Sequence, residues 1–184
     1  MKKTLKFAWM ILFCLPGLVF TACSDDENGD LGKDEIALFK DYSPILGKKS
    51  ADVIKWIGVD PYQQTEESEY FEIFADNVDY VIADYSIEEG VVNEKCQNVF
   101  SLLSDDLSKT AITNYLARIY NFDQIDEDGD YWYTYKDLVI IYIIDEDLGN
   151  MVTYTNKKNY QTRGADFKAE IKARLKESAK VIRK

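Results

Sequence analysis

Residues 131–145 read Tyr131-Trp132-Tyr133-Thr134-Tyr135-Lys136-Asp137-Leu138-Val139-Ile140-Ile141-Tyr142-Ile143-Ile144-Asp145. The first five are aromatic or β-branched, so they belong to a strand, and Tyr131, Tyr133 and Tyr135 fall on one of its faces. A turn at Asp137 leads into Leu138–Ile144, apolar on both faces apart from Tyr142, as expected of a strand covered from two sides. A second turn at Asp147-Leu148-Gly149 precedes another run at 150–156. Three short strands joined by tight turns are an antiparallel meander. Tyrosine offers contact area with a polar tip, so Tyr131, Tyr133, Tyr135 and Tyr142 form a candidate binding face, provided helices cover only the other side of the sheet.

Working upstream, the turn-rich stretch Asp123–Asp130 is preceded by a helix. Ser104–Ser108 supplies capping chemistry, and Ile112, Tyr115, Leu116 and Ile119 recur at helical spacing. Earlier still, three aromatic and β-branched runs at 69–75, 78–87 and 91–101 are separated by Asp76-Asn77 and Glu88-Glu89-Gly90, and a loop from Pro61 to Ser68 precedes them. Ser50 opens a helix with Val53, Ile54 and Ile57 on one side and Gly58 at its end, and Asp34–Tyr42 is spaced for a shorter one. An offset of 61 residues aligns Tyr70 with Tyr131, Asp76 with Asp137, Val78 with Val139, Ile82 with Ile143 and Asp84 with Asp145, which reads as an internal duplication. Downstream, Phe167, Ile171, Leu175, Ser178 and Ile182 form a stripe flanked by Lys168, Lys172, Lys176 and Lys180, an amphipathic basic helix. The fold class is α+β: tandem units, 34–103 and 104–184, each a helix plus a three-stranded antiparallel meander, closed by a C-terminal amphipathic helix. With 184 residues there is room for a single domain over 34–184.

The start of the chain is an address. Lys2, Lys3 and Lys6 precede an uncharged run from Phe7 to Phe20, too short to span a bilayer and ordered like a secretory signal over residues 1–22. Thr21-Ala22-Cys23 resembles the lipobox of bacterial lipoproteins, which implies acylation (diacylglycerol, palmitate) of Cys23. Ser24-Asp25-Asp26-Glu27 resembles the acidic export signal of Bacteroidetes-type outer-membrane lipoproteins and opens a polar tether over 23–33. The expected location is therefore the outer membrane, lipid-anchored at the cell surface. Cys96 is the one thiol left, so no internal disulfide forms within the mature chain. In its strand it alternates in phase with Val92 and Phe100, which predicts burial.

Leu46-Gly47-Lys48-Lys49-Ser50 running into Val53 and Ile57-Gly58, followed by an aromatic strand and by one ending in acidic residues and glycine, resembles the small outer-membrane lipoproteins of the SmpA/OmlA type. The pattern is also similar to the β-lactamase inhibitor proteins, which carry such a unit twice. Both resemblances imply a binding or accessory role.

Charge and composition narrow the chemistry. Three of the 22 basic residues lie in the signal, leaving 19 against 33 acids, a net of −14 that argues against nucleic acid as a partner for the whole surface. Residues 157–184 carry +7, so residues 23–156 carry −21. The absence of histidine removes His-dependent triads and His-ligated zinc. No glycine-flanked serine elbow or Ser-x-x-Lys is present, and Gly47-Lys48 lacks the rest of a phosphate loop. Carboxylates such as Glu66, Glu67, Glu69, Asp84 and Asp145 leave a carboxylate-dependent glycan hydrolase as the rival reading. Asp126-Glu127-Asp128-Gly129-Asp130 resembles a calcium loop, but Gln124 and Tyr135 stand where its end ligands belong, so it reads as a solvated turn. The sequence thus assigns no catalytic residue, metal or cofactor. The expected function is a membrane-anchored binding or protein-interaction module for a protein or glycan ligand, with a structural accessory of outer-membrane assembly as a further alternative.

Overall fold

The computed structural model describes residues 37–85, 87–88, 91–92, 94–145 and 148–182. Cys23 and Ser24–Glu27 lie outside the described residues, as does the start of the helix expected at Asp34–Tyr42. Residues 37–42 are not helical; a single 3-10 turn, Ser43–Ile45, takes their place, with Pro44 fixing its backbone. Asp41 competes with any helix there, since its carboxylate accepts the Ser43 backbone N–H at 2.8 Å.

The fold is α+β. Helix α1, Ser50–Ile57, ends where Gly58 adopts a left-handed conformation (φ 87°) and donates its N–H to the Ile54 carbonyl. Strands β1 (Gln63–Gln64), β2 (Ser68–Ala75) and β3 (Val78–Asp84) follow, then a small separate hairpin of β4 (Ile87–Glu88) and β5 (Val91–Val92), then β6 (Asn98–Leu103). Helix α2, Lys109–Ile119, is capped by the Ser108 hydroxyl, which accepts the Ala111 N–H. Strands β7 (Asn121–Ile125), β8 (Tyr131–Tyr135), β9 (Leu138–Asp145) and β10 (Gly149–Asn156) complete an eight-stranded sheet, and α3 runs from Lys157 to Ile182.

Sheet order is β1-β2-β3-β6-β10-β9-β8-β7, every neighbouring pair antiparallel. Asp76 and Asn77 both take positive φ (52° and 57°) in the β2–β3 turn, the conformation whose twist matches a two-residue hairpin and which Asp and Asn tolerate. Asn77 also donates to the Leu38 carbonyl at 2.7 Å, tying the start of the described chain to the hairpin tip.

Both faces of the sheet are covered. On one, α1, α2 and the segment from Phe39 to Ile45 pack over Phe71, Val81, Val99, Tyr133, Ile140, Tyr142, Val152 and Tyr154. On the other, α3 packs Phe167, Ile171 and Leu175 over Ile82, Phe100, Trp132, Ile141, Ile143 and Met151. This explains the apolar run in β9 and the complete burial of β6, whose side chains alternate between two cores.

Several boundaries differ from the sequence reading. The run at 91–101 does not form one strand. Cys96 instead exchanges backbone hydrogen bonds with the loop before α1, donating to Lys48 and accepting from Gly47, both at 2.8 Å, and β6 starts only at Asn98. Cys96 is buried, but with the α1-side core, whereas Phe100 faces α3, so burial was expected for a phase that does not hold. Burial pushes its thiol pKa well up. Native protein should accordingly resist thiol-reactive reagents until unfolded; modification as fast as that of free cysteine would show that this core opens.

Each edge of the sheet is formed by a short strand that the sequence reading does not contain. The expected loop at Gln63–Ser68 holds β1, and the expected turn at Asp123–Asp130 begins with β7, a five-residue strand with every side chain exposed and a bulge at Asp123. An edge strand exposed on both faces has no hydrophobic alternation to reveal it. The offset of 61 also pairs residues that do not correspond in space: Tyr70 packs on the α3 face and Tyr131 on the α1–α2 face.

Candidate binding groove

The aromatic face expected to receive a ligand is interior. Register pairs Tyr131 with Tyr142 and Tyr133 with Ile140, placing all four tyrosines on the face covered by α1 and α2. Tyr133 is 1% exposed and Tyr142 fully buried, and Tyr131 and Tyr135 are half-buried against the same core. The Tyr142 hydroxyl bonds Asn150 at 2.6 Å, and burial pushes the pKa of Tyr133 and of Tyr142 up to about 12. Helices on both sides of the sheet cover this face, so that Tyr133 and Tyr142 belong to the core and Tyr131 and Tyr135 pack at its margin.

The acidic candidates are dispersed. Asp145 lies at the end of β9, accepting the Leu148 N–H, while Asp84 lies at the opposite end of the strands. Glu69 accepts from Ser50, from Gln64 at 3.1 Å and from Tyr85 at 2.7 Å in a buried network beside α1. In the 126–130 turn, Asp126 accepts the backbone N–H groups of Asp128 and Asp130 and the Trp132 indole N–H. Asp126, Asp128 and Asp130 bring carboxylate oxygens within 4.8 Å of one another, but the Lys172 ammonium lies 2.8 Å from Asp128 and 3.3 Å from Asp130. The lysine thus supplies the cation, and the turn pins α3.

Asp84 is the centre of a different arrangement. It is 1% exposed at the end of β3, where its Oδ1 receives Arg174 Nη1 at 2.8 Å and its Oδ2 receives Asn98 Nδ2 at 2.7 Å. The same guanidinium reaches Glu67 at 3.0 Å and Glu170 at 3.3 Å. The neighbouring carboxylates raise the Arg174 pKa against the opposing effect of burial. This cluster joins α3 to the β1–β2 loop and forms one wall of a groove of about 580 Å³, open to solvent. Tyr70, Ala173 and Val181 line its apolar side, and Glu66, Glu67, Glu170 and Glu177 its acidic side.

The apolar side continues outward as a row of rings. Tyr62 stacks edge-on against Tyr70 and Tyr80 at 6.4 and 6.2 Å, and Phe74 against Tyr80 at 5.2 Å. Phe74 is 63% and Tyr62 41% exposed, among the most exposed large hydrophobic residues described. Glu72 faces Tyr80 across the β2–β3 pair, and Tyr62 is pushed up to about 12, first by burial and then by its neighbours Tyr80, Glu72 and Tyr70.

None of these residues was singled out together from sequence. Tyr62 precedes β1, Tyr70 and Phe74 sit in β2, and Arg174 and Val181 in α3, 100 or more positions on. The available signal was Arg174, Glu170 and Glu177 beside the apolar stripe of α3, together with the acids at 66–69.

No protein-family model matches the chain, and no curated protein matches it. Among solved structures the chain is similar to a DUF4309 family protein (YjgB) from Bacillus subtilis subsp. subtilis str. 168, with 10% sequence identity and a TM-score of 0.37, over 59% of this chain and 78% of that one. No helix among the described residues is long and apolar enough to cross a membrane.

Proposed function

We propose that this chain is a lipid-anchored binding module of the cell envelope, held in the outer membrane through Cys23, carried to the cell surface by the signal at Ser24–Glu27, and presenting the groove between α3 and the β1–β2 loop to its ligand. The observation that carries the reading is the continuity of that groove with exposed aromatic rings: a monomeric fold ordinarily buries such rings, and a rimmed apolar patch marks an interaction site. The two most buried carboxylates named for hydrolysis, Glu69 and Asp84, serve as hydrogen-bond acceptors inside the fold, which favours binding over carboxylate chemistry. The same reading takes the sheet as two related helix and meander halves, β2-β3-β6 and β8-β9-β10, joined through β6 and β10, with the β2–β3 bulge displacing the correspondence at Tyr70.

Two experiments test this. Cys23→Ala should abolish lipid labelling and release the protein from the membrane fraction; normal labelling and fractionation of that variant would exclude the anchor. A photo-crosslinking phenylalanine analogue placed at Phe74 or Tyr62 in intact cells should give a discrete adduct that the same analogue at exposed Ile144 does not. Identical patterns at all three positions would remove the groove as the binding site.

A further inference from the structure

We propose that the groove takes a lysine- or arginine-bearing extended segment of a partner protein, its cationic side chains lying between the aromatic row and the carboxylates of Glu66, Glu72 and Glu177. This rests on the groove being the ligand site and names the ligand's class.

Charge is the first argument. Among the described residues, Glu66, Glu67, Glu170 and Glu177 line the groove against one lining cation, Arg174, and that guanidinium is engaged by buried Asp84 together with Glu67 and Glu170. Lys180 pairs with Glu177 at 2.6 Å, but both are well exposed, and such a pair yields readily to a competing cation. Glu66 and Glu72 form no ion pair among the described residues. The described lining therefore keeps surplus negative charge, even though α3 belongs to the +7 segment 157–184 that lies beside the −21 of residues 23–156. An anionic ligand would be repelled at this distance, and a neutral glycan would leave the carboxylates without a counter-charge.

The aromatic row points the same way, because ring faces are electronegative and attract ammonium and guanidinium groups. This protein already seats its own lysines so: Lys40 lies 5.1 Å from the Tyr42 ring and 5.0 Å from Trp56, and Lys109 4.8 Å from Tyr131. Exposed Tyr62 and half-buried Tyr80 offer comparable rings beside Glu72 at the rim. Shape supplies the last argument. A groove open to solvent along Thr65–Ser68 on one side and α3 on the other admits a chain segment from outside, whereas a small metabolite is ordinarily enclosed.

The test uses the full acylated chain in detergent and a fluorescent hexapeptide of alternating alanine and lysine, with its alanine–glutamate counterpart as control, followed by anisotropy. Saturable binding of the lysine peptide is expected, weakening as salt rises. The double variant Glu66→Gln/Glu72→Gln should weaken it by about tenfold and Tyr62→Ala by about fivefold. Glu127→Gln removes an exposed acid that does not line the groove and should leave binding unchanged. Absence of saturable binding, equal binding of the glutamate peptide, or an equal loss in Glu127→Gln would each overturn the proposal. If the position-specific crosslink at Tyr62 persists while the lysine peptide fails to bind, the ligand class is wrong and the groove stands; if both fail, the groove itself is wrong.

Discussion

Phe167→Ala is expected to lower the unfolding free energy by about 3 to 5 kcal/mol, the cost of deleting a buried aromatic side chain that its surroundings cannot refill. Phe167 is 1% exposed, stacks edge-on with Tyr160 at 5.8 Å, and Tyr160 in turn contacts Trp132 at 5.4 Å, so the ring fastens α3 to β8. Urea unfolding measures it: the midpoint should fall with an unchanged slope. A loss below about 1 kcal/mol would mean that α3 detaches at little cost. Exposed Lys176 provides the contrast, since Lys176→Ala should change stability by less than about 1 kcal/mol. Lys172→Ala should cost more than Lys176→Ala, because the Asp130 carboxylate it neutralises is almost wholly buried.

The second large effect is expected at Arg174. Arg174→Met retains much of the apolar stem but strands the Asp84 carboxylate in the interior, and breaking one half of a buried pair costs about 3 to 5 kcal/mol. The lower end is expected here because the arginine side chain is 20% exposed and Asn98 continues to donate to Asp84. Adding Asp84→Asn to Arg174→Met should restore a large part of the loss, since the uncompensated charge disappears with the carboxylate. If the double variant is as unstable as the two single losses added together, the pair is not coupled and the groove wall is held by packing alone.

Strand and helix positions that depend on local pattern were legible in the residues. The stripe Phe167, Ile171, Leu175 and Ser178 is the buried side of α3, Ser108 caps α2, and the runs around Tyr131–Tyr135 and Leu138–Asp145 are β8 and β9. These signals survive because periodicity reports which side of an element avoids water. Edge strands carry no such mark. β7 exposes both of its faces and exists because its backbone pairs with β8. Whether Tyr131, Tyr133, Tyr135 and Tyr142 meet solvent was likewise beyond the chain's local pattern, for the same alternation serves a surface or a core, and only the docking of α1 and α2 on that face decides it.

The α+β class, the runs that become β8 and β9 and the amphipathic character of the last helix were readable in the residues, all consequences of short-range periodicity and turn chemistry. The order of the strands, the choice of which helices cover which face and the meeting of Asp84 with Arg174, 90 residues apart, come from the tertiary structure alone. The groove beside them belongs to that second group. It lies between α3 and the β1–β2 loop, and the position of a helix on a sheet is fixed by the shapes of the two packed surfaces, which no single segment encodes.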